Sequence, residues 1–383
     1  MSITHAARLS RAPMAGLAAV GVFWGAFSVY IPDFKLRAGA SDAELGLALM
    51  MSALGSIFAM WLGPRLGQTL GRRMLPASGL LLCLSAGFPV FAGSVGALAL
   101  ALLGMGATVA LLDIGSNIRI SDLEERHGLH LMNLNHATFS FAFAATALAA
   151  SLLRKAGWGP EDMFPWVAGV LALLAAATFE GDGWHRAPET PDGADHAGIW
   201  GIIAPVAAIL FVAFVCENAT DNWSALHIER TLGRPAGDGG FGPMMLGLTM
   251  GIGRLSGQFA AQKLGEAGLI FWSAALGVIG AVVTATAPNV TIAIFGIGLI
   301  GLGVAVTVPS ANSILGKLVR PDQRGYAISR AWMVGFTGFF LGPAVMGQVS
   351  EWFSLRQSFL WLALMMALIL PCILYVRRRA PQL

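Results

Sequence analysis

Long apolar runs constrain the fold of this chain more than any other feature of its sequence. Runs of roughly 18 or more residues recur along the whole length, and each is long enough to cross a bilayer as an α-helix. Residues 199–216, for example, contain no charged side chain. Charged residues make up only 12% of the 383 positions, about half the share expected in a soluble globular protein. The sequence therefore predicts an all-α polytopic membrane protein.

The apolar runs predict twelve membrane spans joined mostly by short loops. The longest polar break, residues 180–198, is rich in Pro, Gly and Asp and falls in the middle of the chain. We therefore predict an N-terminal six-helix bundle over residues 1–180, a central cytoplasmic linker over 181–198, and a C-terminal six-helix bundle over 199–383. The predicted spans are residues 13–34, 44–63, 74–92, 95–118, 131–153, 163–179, 199–220, 241–262, 268–287, 290–314, 326–349 and 355–376.

The two halves of the chain also repeat each other. GPRLGQTLG (residues 63–71) and GQFAAQKLG (257–265) each follow the second span of their half and share Gly, Gln, Leu and Gly at equal spacing. GMGATVALLDIGSN (104–117) aligns with GLGVAVTVPSANSI (301–314). Two repeated six-helix halves are typical of a secondary transporter whose substrate site lies between the repeats.

Basic residues indicate the orientation of the chain in the membrane. If both termini are cytoplasmic, the cytoplasmic segments hold more Lys and Arg than the outer loops, including the closing run at 377–379. This asymmetry predicts a topology with both termini inside. The formal net charge of +3 arises from these loop residues and does not indicate nucleic-acid binding.

The sequence predicts neither catalytic nor metal chemistry. Cys83, Cys216 and Cys372 lie in or beside apolar segments without CxxC spacing, so we interpret them as small hydrophobic residues. HExxH, P-loop and Ser/His/Asp signatures are absent from the sequence. We expect no enzyme activity, no metal and no cofactor, with the proton gradient as energy source. The expected partners are a small-molecule substrate and the lipid bilayer, and one chain holds both halves, so we expect a functional monomer.

Several motifs resemble those of the major facilitator superfamily over nearly the whole chain. In that family the loop after the second span carries Gly, Asp, a second Gly and then basic residues. Here PRLGQTLGRR (64–73) is similar, but Gln68 occupies the acidic place, which argues against gating through the family's charge relay. GFFLGPAVMG (338–347) resembles the family's Gly-Pro pattern in the eleventh span. The gating-loop candidates are Gly67, Gln68, Gly71, Arg72 and Arg73.

A narrower resemblance is carried by four further segments. SDAELGLALM (41–50), LLDIGSN (111–117), NLNHATFS (133–140) and ENATDNWSALHI (217–228) are similar to a YbjJ-like branch of bacterial inner-membrane proteins, which is related to the fucose–proton symporters. The resemblance implies a bacterial inner-membrane location. It also implies that the first, fourth, seventh and tenth helices of the two six-helix bundles line a central cavity.

Asp113 is the first candidate for proton coupling, because it lies inside the fourth apolar span. A charged group there costs at least about 2.5–3.5 kcal/mol on insertion scales and is therefore usually functional. Asn117 lies one turn further on the same helix face, and His136 lies in the next span. These three residues form the predicted inner polar ring. Alternatives are a structural pairing of Asp113 with Arg119 or Arg330, and a purely helix-to-helix hydrogen bond for His136.

Glu217 and Asp221 form the predicted outer polar ring, one turn apart at the end of the seventh span. For Asp221, and for Asp33 at the end of the first span, the alternative is an ordinary acidic helix end that water reaches at the membrane surface. Glu217 is a further proton-coupling candidate. Arg254 lies deep in an apolar span and requires a nearby carboxylate or anionic substrate, so we group it with the gating candidates, a structural pair being the alternative. Pro309, Ser310 and Asn312 occupy the repeat position of Asp113 and predict a substrate-binding surface at a broken helix, with a simple proline kink as the alternative. The substrate-cavity candidates are Trp24, Tyr30, Asp33, Asn117, Asp221, Trp223 and Asn312.

The function predicted from these features is proton-coupled symport of a small polar solute, such as a sugar or related metabolite, by alternating access. Proton-coupled efflux of amphipathic compounds is the alternative. A membrane sensor that transports nothing is a third hypothesis, and it is disfavoured because the longest loop has only about twenty residues and no soluble domain is recognisable in the sequence.

Overall fold

The computed structural model describes residues 3–129, 131–181, 199–320 and 323–379, with only the backbone described at Ile3, Gln258 and Gly325. The predicted linker lies outside these ranges except for its first residue, Gly181. The described chain is built from helices. They are α1 Ile3–Leu9, α2 Arg11–Ala38, α3 Asp42–Leu70, α4 Met74–Ser85, α5 Val95–His127, α6 Met132–Lys155, α7 Pro160–Ala177, α8 Trp200–Leu226, α9 Phe241–Thr286, α10 Val290–Ala305, α11 Thr307–Leu318, α12 Arg324–Trp352, α13 Leu355–Ala367 and α14 Ile369–Arg379.

Ten described stretches are long and apolar enough to span a bilayer by length and composition. Two of them, Asp42–Phe91 and Phe259–Thr286, belong to helical runs that are too long for one crossing. Asp42–Phe91 has 50 residues and turns at Gly71, where φ is 53°. Helix α9 has 46 residues and bends at Gly265, where φ is 69°. A straight helix of that length would measure about 69 Å, roughly twice the bilayer core. Each of these two runs therefore crosses the bilayer twice. Counting the second crossing of each run raises the ten stretches to twelve segments, the number predicted from the sequence.

Polar side chains begin several of the helices at the points where the apolar runs start. Ser41 and Glu44 form a reciprocal capping box at the start of α3. Asn289 Oδ1 accepts a hydrogen bond from Ile292 N at 3.0 Å and caps α10. The tenth predicted span, residues 290–314, is interrupted at Val306, where α10 ends and α11 begins. Pro309 accounts for the break, because it has no N–H to donate to the carbonyl four residues earlier.

Glycine-mediated contacts between helix backbones hold the bundle together. A Cβ atom added to Gly106 on α5 would lie 2.0 Å from the carbonyl oxygen of Ser52 on α3. A Cβ added to Gly55 on α3 would lie 2.0 Å from the carbonyl oxygen of Leu103. Lipid tails are as apolar as leucine, so helices in a membrane associate mainly through close packing of this kind.

The N-terminal half, residues 3–181, contacts the C-terminal half, residues 199–379, mainly through α3 with α12 and α6 with α9. Gly46 and Gly347 make the first contact close, since a Cβ on Gly347 would lie 2.4 Å from the Asp42 carbonyl oxygen. Helix α2 also contacts α8. Backbone atoms of opposite halves therefore approach each other without intervening side chains.

The two sides of the bundle differ in how the halves meet. We call the side that holds the start of α2, the end of α7 and the end of α14 the terminal side, and the opposite side the closed side. On the closed side, ion pairs join the halves. Lys155 Nζ lies 2.8 Å from Asp238 Oδ1, and Arg230 Nη1 donates to Asp42 Oδ1 at 2.6 Å. Arg154 pairs with Glu229 on the same side.

The close contact at Gly106 predicts a steric effect on stability. Gly106→Ala should lower the stability of the purified protein by about 1–3 kcal/mol, because the new methyl group overlaps the α3 backbone. Gly96→Ala on the same helix is the matched control, since nothing lies within 4 Å of its added Cβ. The thermal unfolding midpoint in detergent measures both. Equal midpoints for the two variants would contradict this packing.

The ion pairs of Asp238 predict a pH effect. Asp238 lies in the short turn before α9, and its hydrogen bond with Lys155 holds the pKa of its carboxyl below the ordinary value. A depressed folded-state pKa adds stability above the unfolded value of about 3.9, and that stability is lost as pH falls through the folded pKa. Asp238→Asn should therefore lower the unfolding midpoint at pH 7, and its difference from the wild type should shrink below about pH 4. A difference independent of pH would refute the ion-pair explanation.

Candidate functional site

Arg254 connects the two halves at the centre of the bundle. Its Nη1 donates to Ser140 Oγ on α6 at 2.6 Å, and its Nη2 donates to Glu217 Oε1 on α8 at 3.3 Å. Only 14% of the Arg254 side chain and 18% of the Glu217 side chain are exposed. A charge this enclosed needs a compensating partner, and α8 supplies one. The carboxylate expected near Arg254 is therefore Glu217.

Asp113, Asn117 and His136 form a hydrogen-bonded chain beside Arg254. Asn117 Nδ2 donates to Asp113 Oδ2 at 3.3 Å, and Asn117 Oδ1 lies 2.9 Å from His136 Nε2. With this orientation of the amide, His136 donates through Nε2. Asp113 is also within electrostatic reach of Arg254. The predicted inner and outer rings are thus one network, with Arg254 between them.

Asp221 extends the network to the first span. It lies one turn beyond Glu217 on α8 and accepts a hydrogen bond from Ser28 on α2. Ser28 also lies 2.8 Å from the carbonyl oxygen of Trp24, which is half-buried beside it. We call the whole set the central cluster. Its members are Ser28, Asp113, Asn117, His136, Ser140, Glu217, Asp221 and Arg254.

Five of the cavity candidates lie outside the central cluster: Trp24 and Asn312, and three further residues, Tyr30, Asp33 and Trp223. Tyr30 is fully buried and donates to the Trp158 carbonyl oxygen at 3.1 Å. Asp33 makes an ion pair with Arg154 at 2.7 Å on the closed side. Trp223 is fully buried within the helix packing. In this conformation Tyr30 and Asp33 make contacts on the closed side, and Trp223 is enclosed by its neighbouring helices.

Asn312 lies on α11, just beyond the break at Val306. Its Oδ1 accepts a hydrogen bond from Trp332 Nε1 on α12 at 2.8 Å. The Trp332 ring lies 5.5 Å from the ring of Phe214 on α8, and Phe336 and Phe339 complete an aromatic group there. An amide and an indole held together in this way offer both a polar and a flat apolar contact to a ligand.

The gating-loop candidates lie at the terminal-side end of α3. Gly71 adopts a positive φ of 53°, which a side chain would disfavour. Gly67 is buried, whereas Gln68, Arg72 and Arg73 are exposed. Arg254 is placed in the central cluster. Among the described residues, no group of three or more His, Cys, Asp and Glu side chains is arranged to hold a metal ion.

Ser28 and Ser140 are the members of the central cluster that sequence reasoning missed. Each is buried, and each follows a candidate by four residues, Ser28 after Trp24 and Ser140 after His136. That spacing places each serine on the same helix face as its candidate, and it is the signal that could have identified them. A serine alone carries little information, since small residues are common where membrane helices pack.

Twelve apolar segments in two halves that meet around buried charges are the architecture of a secondary transporter. The model of the Major Facilitator Superfamily matches residues 14–299 and 207–383, and the chain therefore belongs to that superfamily. This assigns the protein to a family of transporters, not to an enzyme family.

Individual relatives agree with the family. An uncharacterised MFS-type transporter of Yersinia pestis is 28% identical over 352 residues, which covers 90% of each chain. A bacterial homologue of the human lysosomal transporter Spinster, in an inward-facing and unoccupied conformation, superposes with a TM-score of 0.72 at 15% identity, covering 100% of this chain and 99% of that one. A D-xylose–proton symporter gives 0.72 at 16% identity, covering 95% and 97%. At these identities the structures show the fold alone.

The central cluster predicts an electrostatic effect on stability. Arg254→Gln should lower the thermal unfolding midpoint in detergent, because Glu217 loses its cation. The expected loss in the free energy of unfolding is about 2 kcal/mol, below the roughly 3–5 kcal/mol for breaking a fully buried pair. Adding Glu217→Gln should recover part of this loss. Ser140→Ala removes only a neutral acceptor and should cost about 1 kcal/mol. If the double variant is as unstable as the sum of the two single variants, Arg254 does not act by compensating Glu217.

Proposed function

We propose that this protein is a proton-coupled secondary transporter of a small polar solute, such as a sugar or related metabolite. The observation that carries the proposal is the Arg254 bridge, because it joins a carboxylate of one half to a helix of the other half. A site of this kind connects the charge state of Glu217 to the contact between halves that must change during alternating access.

The charge balance of the central cluster supports proton coupling. Asp113, Glu217 and Asp221 supply three carboxylates, whereas Arg254 supplies one cation. Because uncompensated charge is costly among apolar helices, protons are suitable counter-charges for the excess carboxylates. A proton on Glu217 would weaken its interaction with Arg254 and hence the bridge to Ser140. Protonation then favours one conformation over the other, which is the thermodynamic requirement for coupling.

The groups around the cluster favour a small polar solute. Asn117, His136 and Asn312 offer amide and imidazole hydrogen bonds, and Trp24 and Trp332 offer flat surfaces on which a sugar ring can stack. The D-xylose–proton symporter of the same fold supports this choice by analogy. Tyr30, Asp33 and Trp223 would join the cavity only when the closed side opens.

The location we propose is a bacterial inner membrane, with the terminal side in the cytoplasm and one chain as the functional unit. Basic residues at the terminal side, including Arg72 and Arg73, support this orientation. The relative from Yersinia pestis supports a bacterial source. Within the superfamily we place the chain in the YbjJ-like branch related to the fucose–proton symporters, on the four segments that resemble it.

Transport in sealed vesicles tests the coupling role of the carboxylates. A screen of sugars, sugar acids and amines in weakly buffered, overproducing cells first identifies the substrate, since inward proton symport makes the medium alkaline. Asp113→Asn and Glu217→Gln should then abolish accumulation driven by an imposed pH gradient while leaving downhill exchange. Glu161→Gln, outside the central cluster, is the control.

Two results would reject the proposal. Full retention of gradient-driven accumulation in both variants would exclude these carboxylates as coupling groups. No pH change across the panel, together with faster loss of a preloaded amphipathic dye, would instead favour proton-coupled efflux.

A further inference from the structure

A single π-helical turn, His227–Thr231, ends α8 at the closed side and carries two opposite charges on adjacent residues. Glu229 and Arg230 reach different helices of the N-terminal half. Consecutive residues of a helix point about 100° apart, so one turn can contact two neighbouring helices. π-Helical turns are rare and occur frequently at functional sites.

Glu229 contacts Arg154 at the end of α6. Arg154 is 7% exposed, and its Nη2 donates to Glu229 Oε2 at 3.1 Å. Arg154 also has a partner in its own half, because Asp33 of α2 lies 2.7 Å from its Nε. Glu229 in turn accepts a hydrogen bond from Gly237 N at 3.1 Å, within the C-terminal half.

Arg230 contacts Asp42 at the start of α3, with the charges reversed. Asp42 is 4% exposed and receives Arg230 Nη1 at 2.6 Å. It also has a partner in its own half, since Lys35 Nζ lies 3.3 Å from Asp42 Oδ1. Arg230 donates to Ser350 Oγ at 3.1 Å, within the C-terminal half.

Each contact between halves is therefore backed by a second partner within the same half. Breaking a buried ion pair usually costs much because one charge is left uncompensated. Here Arg154 would keep Asp33, and Asp42 would keep Lys35. Arg154 and Asp42 thus keep an opposite charge when the halves separate on this side, which lowers the cost of opening. Among the described residues, Glu229 keeps only the Gly237 N–H, and this remaining cost favours the closed state.

The turn is also fixed to the remainder of its own half. His227 Nε2 lies 3.0 Å from the Thr284 carbonyl oxygen on α9, and its ring packs 4.9 Å from that of Phe359. Glu229 follows Glu217 by twelve residues on one continuous run, about 18 Å along the helix axis. A tilt of α8 caused at Glu217 would therefore move the turn.

We propose that the turn His227–Thr231 is a two-pronged clasp that holds the closed side shut. Release requires withdrawing Glu229 from Arg154, and withdrawing Arg230 together with Ser350 from Asp42. Asp33 and Lys35 then retain the N-terminal partners. The clasp requires only that the two halves separate on the closed side. It therefore does not depend on which solute is carried or on proton coupling.

Cysteine labelling of purified protein in detergent tests the clasp without a substrate. In a variant with Cys83, Cys216 and Cys372 replaced by alanine, Ser151→Cys reports on the closed side, because Ser151 is fully buried where Gly237 and Gly240 approach it. Ser121→Cys reports on the terminal side. It is exposed and lies four residues beyond Asn117, on the same helix face.

Glu229→Gln should raise the maleimide labelling rate of Ser151→Cys about tenfold and lower that of Ser121→Cys, because Glu229 pairs with a buried guanidinium. Arg230→Gln should raise the rate only about twofold, since its side chain is 45% exposed and its ion pair is weaker. Glu161→Gln is the matched control. It removes the same charge from the pair with Arg37, which lies on the same side but within one half, and it should change neither rate.

Three outcomes would overturn the clasp. Unchanged labelling of Ser151→Cys in the double variant Glu229→Gln/Arg230→Gln would show that the turn does not hold the side shut. An equal rise in the Glu161→Gln control would show a general effect of surface charge. A rise at both reporters would show loosening of the whole bundle. Loss of proton-coupled transport alone would leave the labelling pattern intact, so the two proposals fail separately.

Discussion

The cost of placing a charge among apolar helices determines how this structure is arranged. Each enclosed charge must find a partner, and helix backbones leave few positions where a partner can be supplied. Arg254 meets this requirement with Glu217 and Ser140, which lie on opposite halves of the chain. The same requirement places Arg154 and Asp42 on the closed side, each between a partner in its own half and one across the interface.

These two sites share one helix, which gives the structure a mechanical connection. Helix α8 carries Glu217 and Asp221 near the centre, and its continuation carries Glu229 and Arg230 at the closed side. Glycines such as Gly46 and Gly347 let the halves touch there through their backbones. Because that contact has little side-chain interdigitation, ion pairs are well placed to decide whether the side is open or shut.

The sequence predicted the twelve apolar segments, because a bilayer requires long apolar runs and each run is local in the sequence. It also predicted that Arg254 needs a carboxylate. It could not identify that carboxylate, because Arg254 and Glu217 are 37 residues apart in the sequence. The ion pair of Asp42 with Arg230 joins residues that are 188 apart. Pairings of this kind depend on helix rotation, which a hydropathy pattern does not record.

The conformation of the protein was the second feature that the sequence could not supply. Tyr30 and Asp33 lie near the outer end of the first span, where the sequence suggested a cavity mouth. In this conformation they make contacts on the closed side. Ser28 and Ser140 carried little signal of function in the sequence. In the structure each makes a hydrogen bond to a charged side chain, Ser28 to Asp221 and Ser140 to Arg254.

The bend in α9 at Gly265 has a consequence for how its two spans can move. Charged residues, Lys263 and Glu266, flank the bend, and Glu266 is held by Lys317 at 2.9 Å. Within the described run of α9, no long polar loop separates the two spans. A displacement of one span therefore reaches the other directly through the backbone at Gly265.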